Sequence, residues 1–156
     1  MRRFEFIDGE VTRRITDWVD RVAGRIRVEM HNQGINASGN LSESVEGVVT
    51  DGEVMILAAP YFIYAEKGRD KGGGPYDFSN ILKKWISDKG LSVNDRDDSR
   101  FAYFIARKIK AYGSARFRDA NKRVDLVGDV IDKELPELND IIENRLVLYV
   151  NDSLFT

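Results

Sequence analysis

The sequence has no cysteine and only 1 histidine, His31. The first absence excludes disulfides, thiolate metal ligands and cysteine nucleophiles together, and it leaves the redox compartment undetermined. With no partners announced around His31, a Ser-His-Asp triad or a histidine-based metal centre is not expected. At the predicted end of a helix, His31 instead suits the helix dipole or faces solvent. No apolar run approaches the roughly 20 residues that span a bilayer. The basic start Met1-Arg2-Arg3-Phe4-Glu5 is not followed by the long apolar stretch of a secretory signal. The expectation is a chain made in the cytoplasm, with no membrane partner. Neither sign of charge dominates: Lys and Arg total 24 against 26 Asp and Glu, a net of −2. Overall charge therefore announces no nucleic-acid partner.

What is present is enough apolar material for a real core: 42% hydrophobic residues in a chain of 156 predicts a single domain. Residues 9 to 31 read as an amphipathic helix, with Val11, Ile15, Trp18, Val22 and Ile26 at spacings of three and four and Gly34 as the stop. A turn-rich stretch from Asn36 to Asn40 leads to two extended runs, Leu41 to Val49 and Val54 to Ala59. The Asp51-Gly52 between them makes residues 41 to 59 a predicted hairpin. Tyr61 to Lys67 continues the edge of the core as a short helix or an extended run. Two more amphipathic helices follow. Residues 77 to 89 are marked by Phe78, Ile81, Leu82, Trp85 and Ile86, and 99 to 112 by Phe101, Phe104, Ile105, Ile109 and Tyr112, with a polar loop from Asn94 to Ser99 between. Beyond residue 124, Val124, Val127, Ile131 and Leu135 have helical spacing, although Val124, Leu126 and Val130 also share one face of a strand. Pro136 suits the first turn of a final helix carrying Leu138, Ile141, Ile142, Leu146 and Tyr149. Helix is the preferred reading of both parts of 124–150. The predicted class is α+β, a small antiparallel hairpin-based sheet packed with several amphipathic helices.

Two motifs resemble ligand sites only superficially. Lys71-Gly72-Gly73-Gly74-Pro75 inverts a phosphate-binding loop, which places its lysine after the glycines and directly before a helix. Arg69 to Pro75 is better read as a flexible loop. Asp95-Arg96-Asp97-Asp98 lacks the glycine and distal glutamate of a calcium loop, and Asp97 or Asp98 is expected to cap the following helix. No catalytic, cofactor-binding or metal-binding residue is assigned.

Charge patterning is more informative. Arg107, Lys108, Lys110, Arg116, Arg118, Lys122 and Arg123 face only Asp119 in their stretch of chain. From residue 125 the sign reverses, with Asp125, Asp129, Asp132, Glu134, Glu137, Asp140, Glu143 and Asp152 against Lys133 and Arg145. Three readings are open: two solvated faces that neutralise each other within a monomer, a head-to-tail contact between copies in a ring, and a basic lining that faces DNA phosphates. The candidate contacts are Arg69, Lys71, Arg107, Lys108, Arg116, Arg118, Arg123, Asp129, Asp132, Glu137, Asp140 and Glu143.

Three segments resemble the head–tail joining, or tail-completion, proteins of tailed bacteriophages. Ala37-Ser38-Gly39-Asn40-Leu41-Ser42-Glu43-Ser44 is similar to that family's Ser/Thr-Gly-x-Leu-x-x-Ser opening of a strand. Pro60-Tyr61-Phe62-Ile63-Tyr64-Ala65-Glu66-Lys67-Gly68-Arg69 resembles its Tyr-Ala-x-x-x-Glu-x-Gly signature, with Phe62 where alanine is common and Glu66 read as a paired structural carboxylate. Ile81 to Leu91 and Phe101 to Gly113 look like the two-helix insert of many relatives. Together the segments cover roughly 37 to 117. The resemblance implies a non-enzymatic virion protein of the neck or tail region, without cofactor. It implies partnership with copies of itself in a ring, with portal, adaptor and tail proteins, and with DNA passing through the channel. The alternative is a small nucleic-acid-binding module using residues 107 to 123.

Overall fold

The spacing of apolar residues in the first third of the chain produces a long helix, α1 (Gly9–Asn32). Val11, Ile15, Trp18, Val22 and Ile26 are buried along it, and Val19, Ala23 and Met30 widen the stripe. Its end is a Schellman turn: Gly34 takes φ +62°, its N–H donates to the His31 carbonyl at 3.0 Å, and the Ile35 N–H donates to the Met30 carbonyl at 3.0 Å. The computed structural model describes residues 9–35, 39–50, 53–72 and 77–154. Within these, a one-turn helix α2 (Asn40–Glu43) is followed by strands β1 (Glu46–Thr50) and β2 (Glu53–Leu57) and helix α3 (Phe62–Lys67). Then come α4 (Phe78–Asp88), α5 (Asp95–Tyr112), α6 (Ala115–Arg118), a 3₁₀ turn at Ala120–Lys122, and α7 (Leu126–Leu154). The class is α+β.

The chain groups into two compact units. The first unit comprises residues up to Glu29, Glu43–Ala58 and the chain from Leu126 onward. In it β1 and β2 pair antiparallel, Glu46 opposite Leu57 through Thr50 opposite Glu53. The strand begins at Glu46, not Leu41, because Gly39 (φ +92°) and the Ser42 hydroxyl, which donates to the Gly39 carbonyl at 2.8 Å, wind the residues before it into α2. Asp51 and Gly52, the predicted hairpin turn, lie outside the described residues. β1 rests on α1 at Gly47, where an added Cβ would lie 2.8 Å from the Val19 carbonyl oxygen. Arg27 seals the approach by donating twice to the Val45 carbonyl, at 3.1 and 2.5 Å. α7 is one continuous helix with Pro136 inside it. Pro136 therefore stands within the helix, at an exposed position, and not in the first turn of a separate one. The helix is fastened to α1 by the Trp18 indole N–H, which donates to the Glu134 carbonyl at 3.0 Å, and by Arg25 and Arg21 on the Glu134 carboxylate. Glu137 takes a second bond from Arg21, at 2.7 Å.

The second unit comprises Met30–Ser42 and Ala59–Asp125. Its centre is the pair α4 and α5, packed together around Ile86 and Ala102. α4 ends on another Schellman turn at Gly90 (φ +68°), with Leu91 N–H on the Ile86 carbonyl at 3.0 Å. α5 starts at Asp95 and not at residue 99, because Asn94 is its cap and accepts from the Asp97 N–H at 3.0 Å. Asp97 and Asp98 thus sit inside the first turn, not at the cap. The segment after α3 is braced by reciprocal bonds: Arg69 N–H donates to the Ser114 hydroxyl at 2.9 Å, and Ser114 N–H donates to the Arg69 carbonyl at 2.8 Å. Gly72 N–H adds a bond to the Lys110 carbonyl at 2.9 Å. The predicted flexible loop is therefore pinned over Arg69 to Gly72; Gly73, Gly74 and Pro75 lie outside the described residues.

Candidate functional site

α5 carries the most unusual surface among the described residues. Its packed face runs through Asp98, Ala102, Ile105 and Ile109, with small alanines allowing close approach to α4. At 100° per residue this leaves Phe101, Phe104, Lys108 and Tyr112 together on another face. Phe101, Phe104 and Tyr112 are 53%, 61% and 65% exposed. Their helical spacing predicts a core position for these three aromatics. The structure turns them outward, because the helix packs on the neighbouring stripe, where the buried Ala102 and Asp98 lie. Arg100 and Arg107 flank the aromatic stripe and are exposed, as are Lys108 and Lys110. Ile81 and Trp85 of α4 are likewise exposed, against the same expectation. These exposed aromatic and apolar side chains form the candidate contact surface.

Asp98 fixes where this helix begins. Its carboxylate accepts from the Ser92 hydroxyl and, at 3.0 Å, from the Val93 N–H, and these bonds hold its pKa below the ordinary aspartate value. Lys83 of α4 reaches Asp95 at 2.6 Å and adds a favourable charge near Asp98. These acids do structural work for the helix start. Among the described residues, no group of three or more His, Asp and Glu side chains is placed to hold a metal ion. His31 is exposed, with its backbone carbonyl in the turn that ends α1.

The candidate contact residues separate into two kinds. Arg69 is committed within its own unit, its guanidinium over the rings of Phe78 at 4.7 Å and Tyr64 at 5.4 Å. Arg116 donates to the Ala65 carbonyl. Arg123 lies 5.5 Å from the Phe117 ring centroid and donates to the Phe117 carbonyl at 2.9 Å. These three act as braces, and a count of charges could not show it, since their partners are backbone oxygens and aromatic rings. Arg107, Lys108 and Arg118 present exposed side chains, and Lys71 is exposed beside Asp70. On α7, Asp129, Asp132, Asp140 and Glu143 are exposed, whereas Glu137 is engaged by Arg21. Glu134, which the charge count treats like its neighbours, is 4% exposed and is the anchor of the helix. Glu66 contributes its carbonyl to the Val124 N–H at 3.2 Å. No described helix is long and apolar enough to cross a membrane.

No family model, no curated protein and no solved structure matches this chain.

Proposed function

We propose that the chain is a structural, non-enzymatic protein of a tailed-bacteriophage virion, a subunit of the neck or tail-completion ring that joins portal and adaptor to tail. The observation that carries the reading is the outward aromatic face of α5, with Phe101, Phe104 and Tyr112 each more than half exposed. A water-facing array of this kind is costly in a free monomer and useful in a protein whose partners cover it. The resemblance of residues 37 to 117 supplies the type of assembly. Arg69, Arg116 and Arg123 are engaged within the second unit, which leaves Arg107 and Lys108 as cations beside that face. Mass spectrometry of purified particles, with localisation of the chain in particle density, tests the proposal. The expected result is several copies per particle at the head–tail junction, and absence from particles overturns it.

A second reading has its own support: Arg107, Lys108 and Lys110 are exposed and interleaved with Phe104 and Tyr112, a pattern that also suits nucleic acid. Salt-dependent binding of DNA by the purified protein, abolished by charge reversal at Arg107 and Lys108, would favour it. Arg116 is unsuitable for that test because its reversal breaks the bond to Ala65.

A further inference from the structure

We infer that the aromatic and basic face of α5 in one molecule docks on the acidic face of α7 in a second copy of the chain. This rests on the ring reading above for the presence of many copies. The exposed side of α7 carries Leu135 and Ile142, seven residues and about 10 Å apart along the axis. On a helical projection Asp132 and Glu143 fall beside them, with Asp140 and Asp129 next. On α5, Phe104 and Tyr112 are eight residues and about 12 Å apart, with Phe101 and Lys108 on the same face and Arg107 beside it. The two surfaces thus match in the spacing of their apolar side chains and are opposite in sign.

Charge decides which pairing is favoured. Two copies meeting through α5 alone would place Arg100, Arg107 and Lys108 against their own kind, and two meeting through α7 would oppose carboxylates. Only the pairing of α5 with α7 satisfies both faces. It is heterologous, so each copy offers one face to each of two neighbours, and repetition produces a closed ring or an open chain. The contact is small. Three aromatic side chains, each a little over half exposed, provide roughly 300 Å², against about 800 Å² per partner in a stable pair. A single contact is therefore weak, and closure, in which every copy is held on both sides, is what makes it persist.

The absence of native cysteine makes the test direct. Phe104→Cys and Ile142→Cys variants, both at exposed positions, are mixed and oxidised, with Phe104→Cys plus Val28→Cys as the control mixture. The expected result is a mixed disulfide dimer formed several-fold in excess of the control. Lys108→Glu lowers its yield by roughly three- to fivefold, in proportion to one exposed ion pair. Asp140→Lys in the other partner restores it. A mixed yield no greater than with Val28, or a dominant dimer linked through Phe104→Cys on both sides, overturns the inference. The readout uses purified protein. A failed cross-link with the chain present in particles rejects this contact alone, whereas a successful one with the chain absent from particles rejects only the virion reading.

Discussion

Asp98 begins α5 with its carboxylate turned back onto the loop before it, held by the Ser92 hydroxyl and the Val93 N–H. Both bonds favour the ionised form, so its folded pKa lies below the ordinary value of 3.8. A lowered carboxylate pKa stabilises the fold at pH above the unfolded value, and that contribution is lost as pH falls through the folded one. Asp98→Asn is therefore expected to be less stable than the parent at neutral pH and to lose less on acidification below about pH 4, as followed by thermal melts across that range. Gly47 makes a second residue-scale case. Its Cβ would meet the backbone oxygen of Val19, which cannot rotate away. Gly47→Ala should cost about 2–3 kcal/mol, measured by urea denaturation, whereas Gly24→Ala, with open space around it, should be neutral or favourable.

At the scale of elements, α7 holds a proline where a helix ordinarily excludes one. Pro136 is exposed, so replacing it removes no packing. Pro136→Ala should raise stability by about 1–3 kcal/mol and increase the helical circular-dichroism signal; a loss of stability would show that the proline shapes the turn presenting Glu134 to Trp18. The elements also show what was legible beforehand. α1 could be read to within a residue because its apolar stripe is regular and its stop is a glycine. α4, α5 and the hairpin were legible as elements for similar reasons, with Asp95 to Ser99 misassigned to the loop because a polar loop and a capped first turn have the same composition. The side of α5 that packs was not legible. Aromatic residues at helical spacing ordinarily mark the core, and here alanine and a bonded aspartate take that place. The candidate site was accordingly visible only in its charges. Of the basic residues singled out, those bonded to backbone oxygens could not be told from those facing solvent, because a carbonyl partner leaves no trace in the sequence.

At the scale of the whole molecule, each unit draws on segments far apart in the chain, and the first depends on its last helix. α7 supplies Leu126, Val130 and Ile141 to buried positions and the Glu134 carbonyl to Trp18. A chain ending at Asp125 should expose Trp18, now 5% accessible, and shift its fluorescence to longer wavelength; retention of the blue-shifted emission would show that α1 and the hairpin suffice. The order of segments has a further consequence in time. On the ribosome, residues 59–125 emerge before α7 exists, so the second unit can fold while the apolar stripe of α1, from Val11 to Ile26, still has no α7 to cover it. The nascent chain is thus at its most aggregation-prone late in synthesis. A pause in translation before residue 126 would lengthen that exposure and raise the demand for a chaperone, independently of any effect on the finished protein.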